Sequence, residues 1–311
     1  MQVLHTVDDP AIPELLEKGE FFWLKVEGCS HDQIGELGRR FGLHPLAIED
    51  SQEFGQRPKL DDYGTTALLV FYGVDPDGTP VEVHLHVSGQ WMLTLHQQGH
   101  ALLDDAAKRI SREAPKTEEE AIYRVIDNLT DSFFPVLDGI DERIDELMDA
   151  MLLKPSQDQR EDLFRMRRRL IDLRRIATPQ RDILARGGDV LGRLPGLEAD
   201  DARDWFRDVY DHLVRISELI DSYRDLLSGA LDLYLSTVSN RLNSISKQLT
   251  VVATIFLPLT FVTGFFGQNF GALVRHINTE AAFWGYGVGS MILSALALLW
   301  FFRRQGILAD D

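Results

Sequence analysis

Two stretches in the last quarter of the sequence limit what this chain can fold into more than any other feature. No Asp, Glu, Lys or Arg occurs in residues 248–274, and none occurs in residues 281–302. A helix needs about 20 apolar residues to cross the hydrocarbon core of a bilayer. Both stretches exceed that, and LTVVATIFLPLTFVTGFF (249–266) and AAFWGYGVGSMILSALALLWFF (281–302) are apolar around every face. A soluble core rarely buries two such neighbouring runs, so the expectation is two transmembrane helices, at about 248–266 and 281–302, joined by an external loop over 271–280. Trp284, Tyr286 and Trp300 lie near the ends of the second span, where amphipathic rings favour the headgroup region.

Flanking charge sets the expected orientation. Arg241 and Lys247 precede the first span, Arg303 and Arg304 follow the second, and the connection carries only Arg275 against Glu280. Positive-inside bias places both termini, including the tail 303–311, in the cytoplasm of a multi-pass protein of the cell (inner) membrane. The start, MQVLHTVDDP, has neither a basic n-region nor an apolar h-region, so no signal peptide is expected. Five basic and three acidic residues lie beyond residue 240, leaving 27 basic and 46 acidic before it, a net of −19. So acidic a surface argues against nucleic acid as a partner. The single cysteine, Cys29, excludes an intrachain disulfide framework and is expected to be inert.

Residues 1–115 read as a cytoplasmic α/β domain. FFWLKVEG, TTALLVFYGV, TPVEVHLHV and QWMLTLH are strand-like segments bounded by turn residues, and HDQIGELGRRFGL and HPLAIEDSQ have helical spacing. Residues 116–200 read as a helical hairpin region with a kink at Pro135 and a breaker at RGGDVLGRLPG. Residues 201–270 read as a stalk and pore segment, of which 201–266 keeps helical periodicity from the acidic region into the first span, a rod of about 95 Å. The fold class is therefore an α+β cytoplasmic domain followed by long helices and two C-terminal transmembrane helices.

One face of that rod carries Asp232, Ser239, Asn243, Ser246, Leu249, Ala253, Leu257, Thr260 and Gly264. Small and hydroxyl residues line ordinary helix contacts in membranes. The same stripe in several copies would line a water-filled path, and two spans per chain cannot enclose one alone. The span ends in TGFFGQNF, which puts the amides of Gln268 and Asn269 after Gly267. Amide and carbonyl oxygens hold a hydrated Mg²⁺ through its water shell. A plain helix cap at Gly267 is the competing reading.

Over nearly its whole length the sequence resembles the CorA family of divalent-cation channels and transporters. SNRLNSISKQLTVVATIFLPLTFVTGFFGQNF (239–270) is similar to the family's pore helix and its Gly-Met-Asn signature, and WFFRRQGIL and FGLHPLAIEDSQEFGQRPKLDDY add to the likeness. The resemblance implies a funnel-shaped homopentamer in the lipid bilayer with five long helices around a central pore. It implies Gly267 and Asn269 at the outer selectivity site, Asn243 at the inner mouth, Leu249 and Leu257 as hydrophobic constrictions and Asp232 as an acidic ring. It also implies regulatory Mg²⁺ between Asp208 and Asp75 or Asp77 of a neighbouring copy, relieving repulsion between acidic subunits. Two departures stand out. Gln268 replaces the usual Met, and the external loop FGALVRHINTEAAFW is poor in acid. Transport of Mg²⁺, with Co²⁺ or Ni²⁺, is the first expectation. Zn²⁺ transport, proton-coupled as in the zinc branch, is the second, and a non-transporting metal sensor the third.

Two further constellations remain. Glu82, His84 and His86 alternate on one strand, with His96 on the next, as a weak Zn²⁺ candidate on a polar sheet face. RMRRRLIDLRR (165–175) is basic and DERIDELMDAM (141–151) acidic, so complementary charge within a hairpin is expected, with anionic-lipid or phosphate contact as the alternative. No P-loop, nucleophile elbow or dinucleotide fingerprint occurs, so no enzyme activity is expected.

Overall fold

A computed structural model of the chain describes residues 1–97, 101–268, 271–276 and 278–305. It divides into two units, Met1–Asp232 and Leu233–Asp311.

The first unit is built on a six-stranded mixed sheet. Its strands are β1 (Gln2–Leu4), β2 (Phe22–Glu27), β3 (Lys59–Asp62), β4 (Ala67–Val74), β5 (Pro80–Val87) and β6 (Trp91–His96), in the order β1-β2-β6-β5-β4-β3. β1, β2 and β6 run parallel, and β6, β5, β4 and β3 alternate direction. Every residue of β4 and β6 is buried, as expected where helices cover both faces. On one face α1 (Ala11–Lys18) and α2 (His31–Phe41) pack Ile12, Leu15, Ile34 and Leu37 onto Phe22, Leu24 and Leu93. Each such buried side chain contributes about 1.5–3 kcal/mol. α2 begins at a capping box, in which Ser30 and Gln33 exchange side-chain and backbone hydrogen bonds.

The short strands β1 and β3 and the helix α1 escape the sequence reading. Strands of three or four residues give too little alternation to register as a pattern.

The histidines also differ from expectation. His84, His86 and His96 are buried rather than displayed on a polar face. The register pairs His84 with Leu95, so His96 lies on the opposite face of the sheet from His84 and His86. His84 Nε2 bonds Glu82 Oε1 at 2.8 Å and His86 Nε2 bonds Ser51 Oγ at 2.8 Å. The four residues are therefore divided among separate partners and do not converge as metal ligands.

Beyond α3 (Pro45–Gln52) and α4 (Ala101–Arg112) come α5 (Glu118–Asp131), α6 (Phe133–Leu153) and α7 (Gln157–Leu191). Pro135 does not kink a helix. It occupies the first turn of α6, where its missing N–H costs nothing, and the break falls at Ser132. α6 and α7 form a hairpin joined at a second capping box, Ser156–Gln159. The pair Gly187-Gly188 does not break α7 either. A Cβ on Gly188 would lie 2.8 Å from the Arg203 Cα, so glycine there serves close approach of the next helix. That helix, α8, runs Ala199–Phe266.

The second unit contains the apolar end of α8, a short helix α9 (Gly271–His276) and a second apolar helix, α10 (Glu280–Arg304), with a π-helical turn over Phe283–Val288. α8 and α10 are both long and apolar enough to cross a membrane. No residue of the most apolar window of α8 is buried, and α10 is nearly as bare. Arg304 lies over the Trp300 ring at 5.4 Å, pairing a cation with an aromatic at the end of α10.

Candidate functional site: an exposed stripe and an acidic cluster

All nine stripe residues lie on α8. Asp232, at the end of the first unit, is exposed, as are Ser239, Asn243, Ser246, Leu249, Ala253, Leu257, Thr260 and Gly264 in the second. Leu249 and Leu257 are 68% and 72% exposed, and Val252, Phe256 and Phe261 off the stripe are exposed as well, whereas Val251, Thr254, Ile255, Pro258 and Val262 are partly covered. Thr260 spends its hydroxyl proton on the Phe256 carbonyl at 2.8 Å, so the polar group is satisfied within the helix.

α8 ends at Phe266. The Gly267 N–H donates to the Thr263 carbonyl at 2.9 Å and the Gln268 N–H to the Phe265 carbonyl at 3.3 Å. A Cβ on Gly267 would lie 3.0 Å from the Thr263 oxygen. Gly267 therefore does act as a tight helix end, and Gln268 is exposed beyond it. Asn269 lies outside the described residues.

The first unit holds a second constellation, which the sequence reading found only in part. α5 presents Tyr123, Asp127 and Asp131 at four-residue spacing, and α8 presents Asp208 and His212 at the same spacing. One ligand atom each from Asp127, Asp208 and His212 lies within 4.8 Å of the others. The Tyr123 hydroxyl donates to Asp208 Oδ2 at 2.8 Å, and the Tyr123 and Trp205 rings pack at 4.6 Å. His212 Nδ1 sits 3.3 Å from Asp127 Oδ1 and 3.6 Å from Asp131 Oδ1. Asp127 Oδ1 and His212 Nδ1 are nevertheless buried with no aligned hydrogen bond. Burial and the neighbouring Asp131 charge push the Asp127 carboxyl up to about 6. Two carboxylate oxygens and an imidazole nitrogen, two of the three atoms left unsatisfied, fit a small divalent cation. Asp127 and His212 were legible only as the spacings D-x-x-x-D and D-x-x-x-H.

Asp75 and Asp77 lie elsewhere, in the β4–β5 turn. Asp75 Oδ1 accepts the Thr79 N–H at 2.7 Å, and the Asp77 carbonyl accepts from Arg169. Neither joins the Asp127–Asp208–His212 group within the chain. Cys29 is half-buried, and burial raises its thiol above the ordinary range, away from reactivity.

Residues 18–304 match the family described as "CorA-like Mg2+ transporter protein". The cobalt/magnesium transport protein CorA of Thermotoga maritima is 31% identical over 89% of this chain and 80% of its own length. The putative metal ion transporter YfjQ of Bacillus subtilis is 30% identical over 91% and 89%. Among solved structures, the complete CorA magnesium transporter of Methanocaldococcus jannaschii superposes with a TM-score of 0.79 at 21% identity, covering 92% of this chain and 91% of that one. The two apolar helices, the long α8 and the match across almost the entire length lead to one conclusion: this chain belongs to the CorA family, whose members are membrane transporters and not enzymes.

Proposed function

We propose that the chain carries divalent cations, Mg²⁺ first and Co²⁺ or Ni²⁺ with it, through a pore formed by several copies of α8, five by family resemblance. The observation that carries this is the exposed stripe. α8 carries Thr260 and Gly264 within the apolar span and Ser239, Asn243 and Ser246 just before it. Nothing in its own unit covers this stripe of small and polar residues, and several copies of the helix can share it around water. Asn243 and the Gly267–Asn269 end then line the two mouths, and Leu249 and Leu257 narrow the route between them. The names of the Thermotoga maritima and Methanocaldococcus jannaschii relatives, which concern cobalt and magnesium or magnesium alone, support the choice of ion.

Asp208, Asp127 and His212 are the proposed cytoplasmic regulatory site, with Asp75 or Asp77 of a neighbouring copy completing it. A cation there relieves repulsion among carboxylates and stabilises only the conformation in which they converge. Both termini are cytoplasmic on this reading. The imidazole of His212 also suits a borderline cation, which keeps Zn²⁺ as the second reading.

The test is flux into proteoliposomes under a membrane potential, with Mg²⁺, Co²⁺, Ni²⁺ and Zn²⁺ in turn, with and without a pH gradient. Mg²⁺ uptake indifferent to pH is expected. Uptake of Zn²⁺ alone, rising with an imposed proton gradient, selects the second reading, and uptake of no ion leaves a metal sensor.

A further inference from the structure

We propose that the α6–α7 hairpin carries both halves of a subunit interface, in which the arginine stripe of α7 in one copy docks on the carboxylate stripe of α6 in the next. This rests on the reading that copies assemble around a shared axis, and it assigns a surface which that reading leaves open.

The expected use of these charges within one hairpin does not occur. Among the described residues the one α6–α7 ion pair is Arg143–Asp162 at 2.9 Å, with the basic partner on the acidic helix. On α6, Asp138, Glu142, Asp145 and Asp149 are all exposed and none has an ion-pair partner among the described residues. On α7, Arg168 and Arg175 are exposed and equally unpaired among the described residues, whereas Arg165 and Arg174 are taken by Asp162 and Asp221. Phe164 and Ile171, 50% and 43% exposed, complete the α7 stripe.

The two stripes share a spacing of four, three and four residues, which holds each on a single helix face. At about 100° per residue both point roughly 150–160° away from the buried rows, Ile140–Ile144–Leu147–Met151 on α6 and Leu163–Met166–Leu170–Leu173 on α7. They therefore face outward from the hairpin.

If the shared axis runs along the helices of the hairpin, rotation about it keeps α6 of one copy antiparallel to α7 of the next. Asp138 to Asp145 and Arg168 to Arg175 are both seven-residue steps, about 10.5 Å along a helix. Asp138 can therefore meet Arg175 while Asp145 meets Arg168. In the same register Phe164 falls opposite Asp149 and Ile171 opposite Glu142, so the Asp138–Arg175 and Asp145–Arg168 pairs carry the contact. A contact between different patches on each copy is heterologous, and repeated by rotation it closes a ring. In a cytoplasmic part of net charge −19 most mutual approaches are repulsive, so this pairing fixes which faces meet.

Cys29 is the only cysteine, so a Cys29→Ser background is free of thiols. In that background Asp145→Cys and Arg168→Cys are introduced together into full-length protein in phosphatidylcholine proteoliposomes and treated with a short bismaleimide. A covalent ladder starting at the dimer is expected, absent from either single variant; a link within one chain stays at monomer mobility. A native mass showing an oligomer without a ladder overturns the interface while leaving the pore reading intact. A native mass showing a monomer overturns both. As a second arm, Asp145→Arg and Arg168→Asp should each raise the monomer fraction several-fold, and the double swap should restore the oligomer. Singles without effect, or effects that simply add in the double, overturn the pairing. Protection of Arg168→Cys from a soluble maleimide only in phosphatidylglycerol vesicles assigns the stripe to lipid instead.

Discussion

The Tyr123 hydroxyl donates to the Asp208 carboxylate across 2.8 Å, tying α5 to α8 beside two ligand atoms that lack hydrogen bonds of their own. The bond holds one carboxylate oxygen of Asp208 and leaves the other free for a cation. Millimolar Mg²⁺ or Co²⁺ should raise the melting temperature of wild-type protein, and Asp208→Asn should abolish that rise. A ligand at about 100 times its dissociation constant stabilises by about 2.7 kcal/mol, which is the size of effect to be lost. Tyr123→Phe should cost only about 1 kcal/mol of stability and retain the cation response. Differential scanning fluorimetry in detergent, with and without the cation, checks both.

The same cluster predicts a flux phenotype. If cation binding at Asp208 holds the closed state, Asp208→Ala should shift inhibition of uptake to higher internal Mg²⁺. Measuring uptake against a graded internal Mg²⁺ concentration in proteoliposomes reads this directly. An unchanged dose response removes the regulatory role and leaves the pore reading standing.

Buried histidine makes stability depend on pH. Burial pushes the His86 imidazole down to about 3, with the neighbouring His84 adding to the fall. An imidazole in the unfolded chain titrates near 6.5. Between those values the unfolded state binds a proton that the folded state refuses, so stability is full above about pH 6.5 and declines as pH falls toward 3. At about pH 5 the loss from this group is about 2 kcal/mol. Glu82 acts in the same direction at lower pH. Its burial raises the pKa, but His84 and the Gly55 and Gln56 N–H groups outweigh that and hold it below the ordinary value. His86→Gln, which can still reach Ser51, should flatten the acid limb of a melting-temperature profile.

The sequence carried the membrane helices openly because lipid demands unbroken apolar runs, and no packing partner can disguise residues 248–274 or 281–302. The stripe was legible for a different reason: small and polar residues recur at helical spacing on one face from Ser239 through Gly264. Short runs rich in β-branched and aromatic residues between turns likewise exposed β2, β4, β5 and β6, and within β5 alternation set the expected faces. It misassigned the faces of β5, because helices on both sides of the sheet bury His84 and His86 along with Val83 and Leu85. Gly187-Gly188 read as a breaker because local propensity cannot see Arg203 approaching from another helix. His212 was missed for the same reason. Only the packing of α5 against α8 brings it to Asp127.

At Gly267 helix geometry and the proposed entrance coincide. Its backbone N–H closes the final turn on the Thr263 carbonyl, and a methyl at its Cα would stand 3.0 Å from that same oxygen. Backbone atoms cannot swing aside as a long side chain can, so Gly267→Ala must displace the turn or lengthen the hydrogen bond. Either change moves the segment that carries Gln268 and Asn269. A loss of flux of about tenfold is expected, equivalent to about 1.4 kcal/mol in the barrier. The cation-dependent melting shift of the first unit should be untouched, since Asp127, Asp208 and His212 belong to Met1–Asp232. Gln268→Met, by contrast, leaves the turn intact and alters only the side chain beyond it, so it should change the ratio of Mg²⁺ to Co²⁺ uptake more than the total. Equal flux in Gly267→Ala and wild type would show that the tight turn plays no part in permeation.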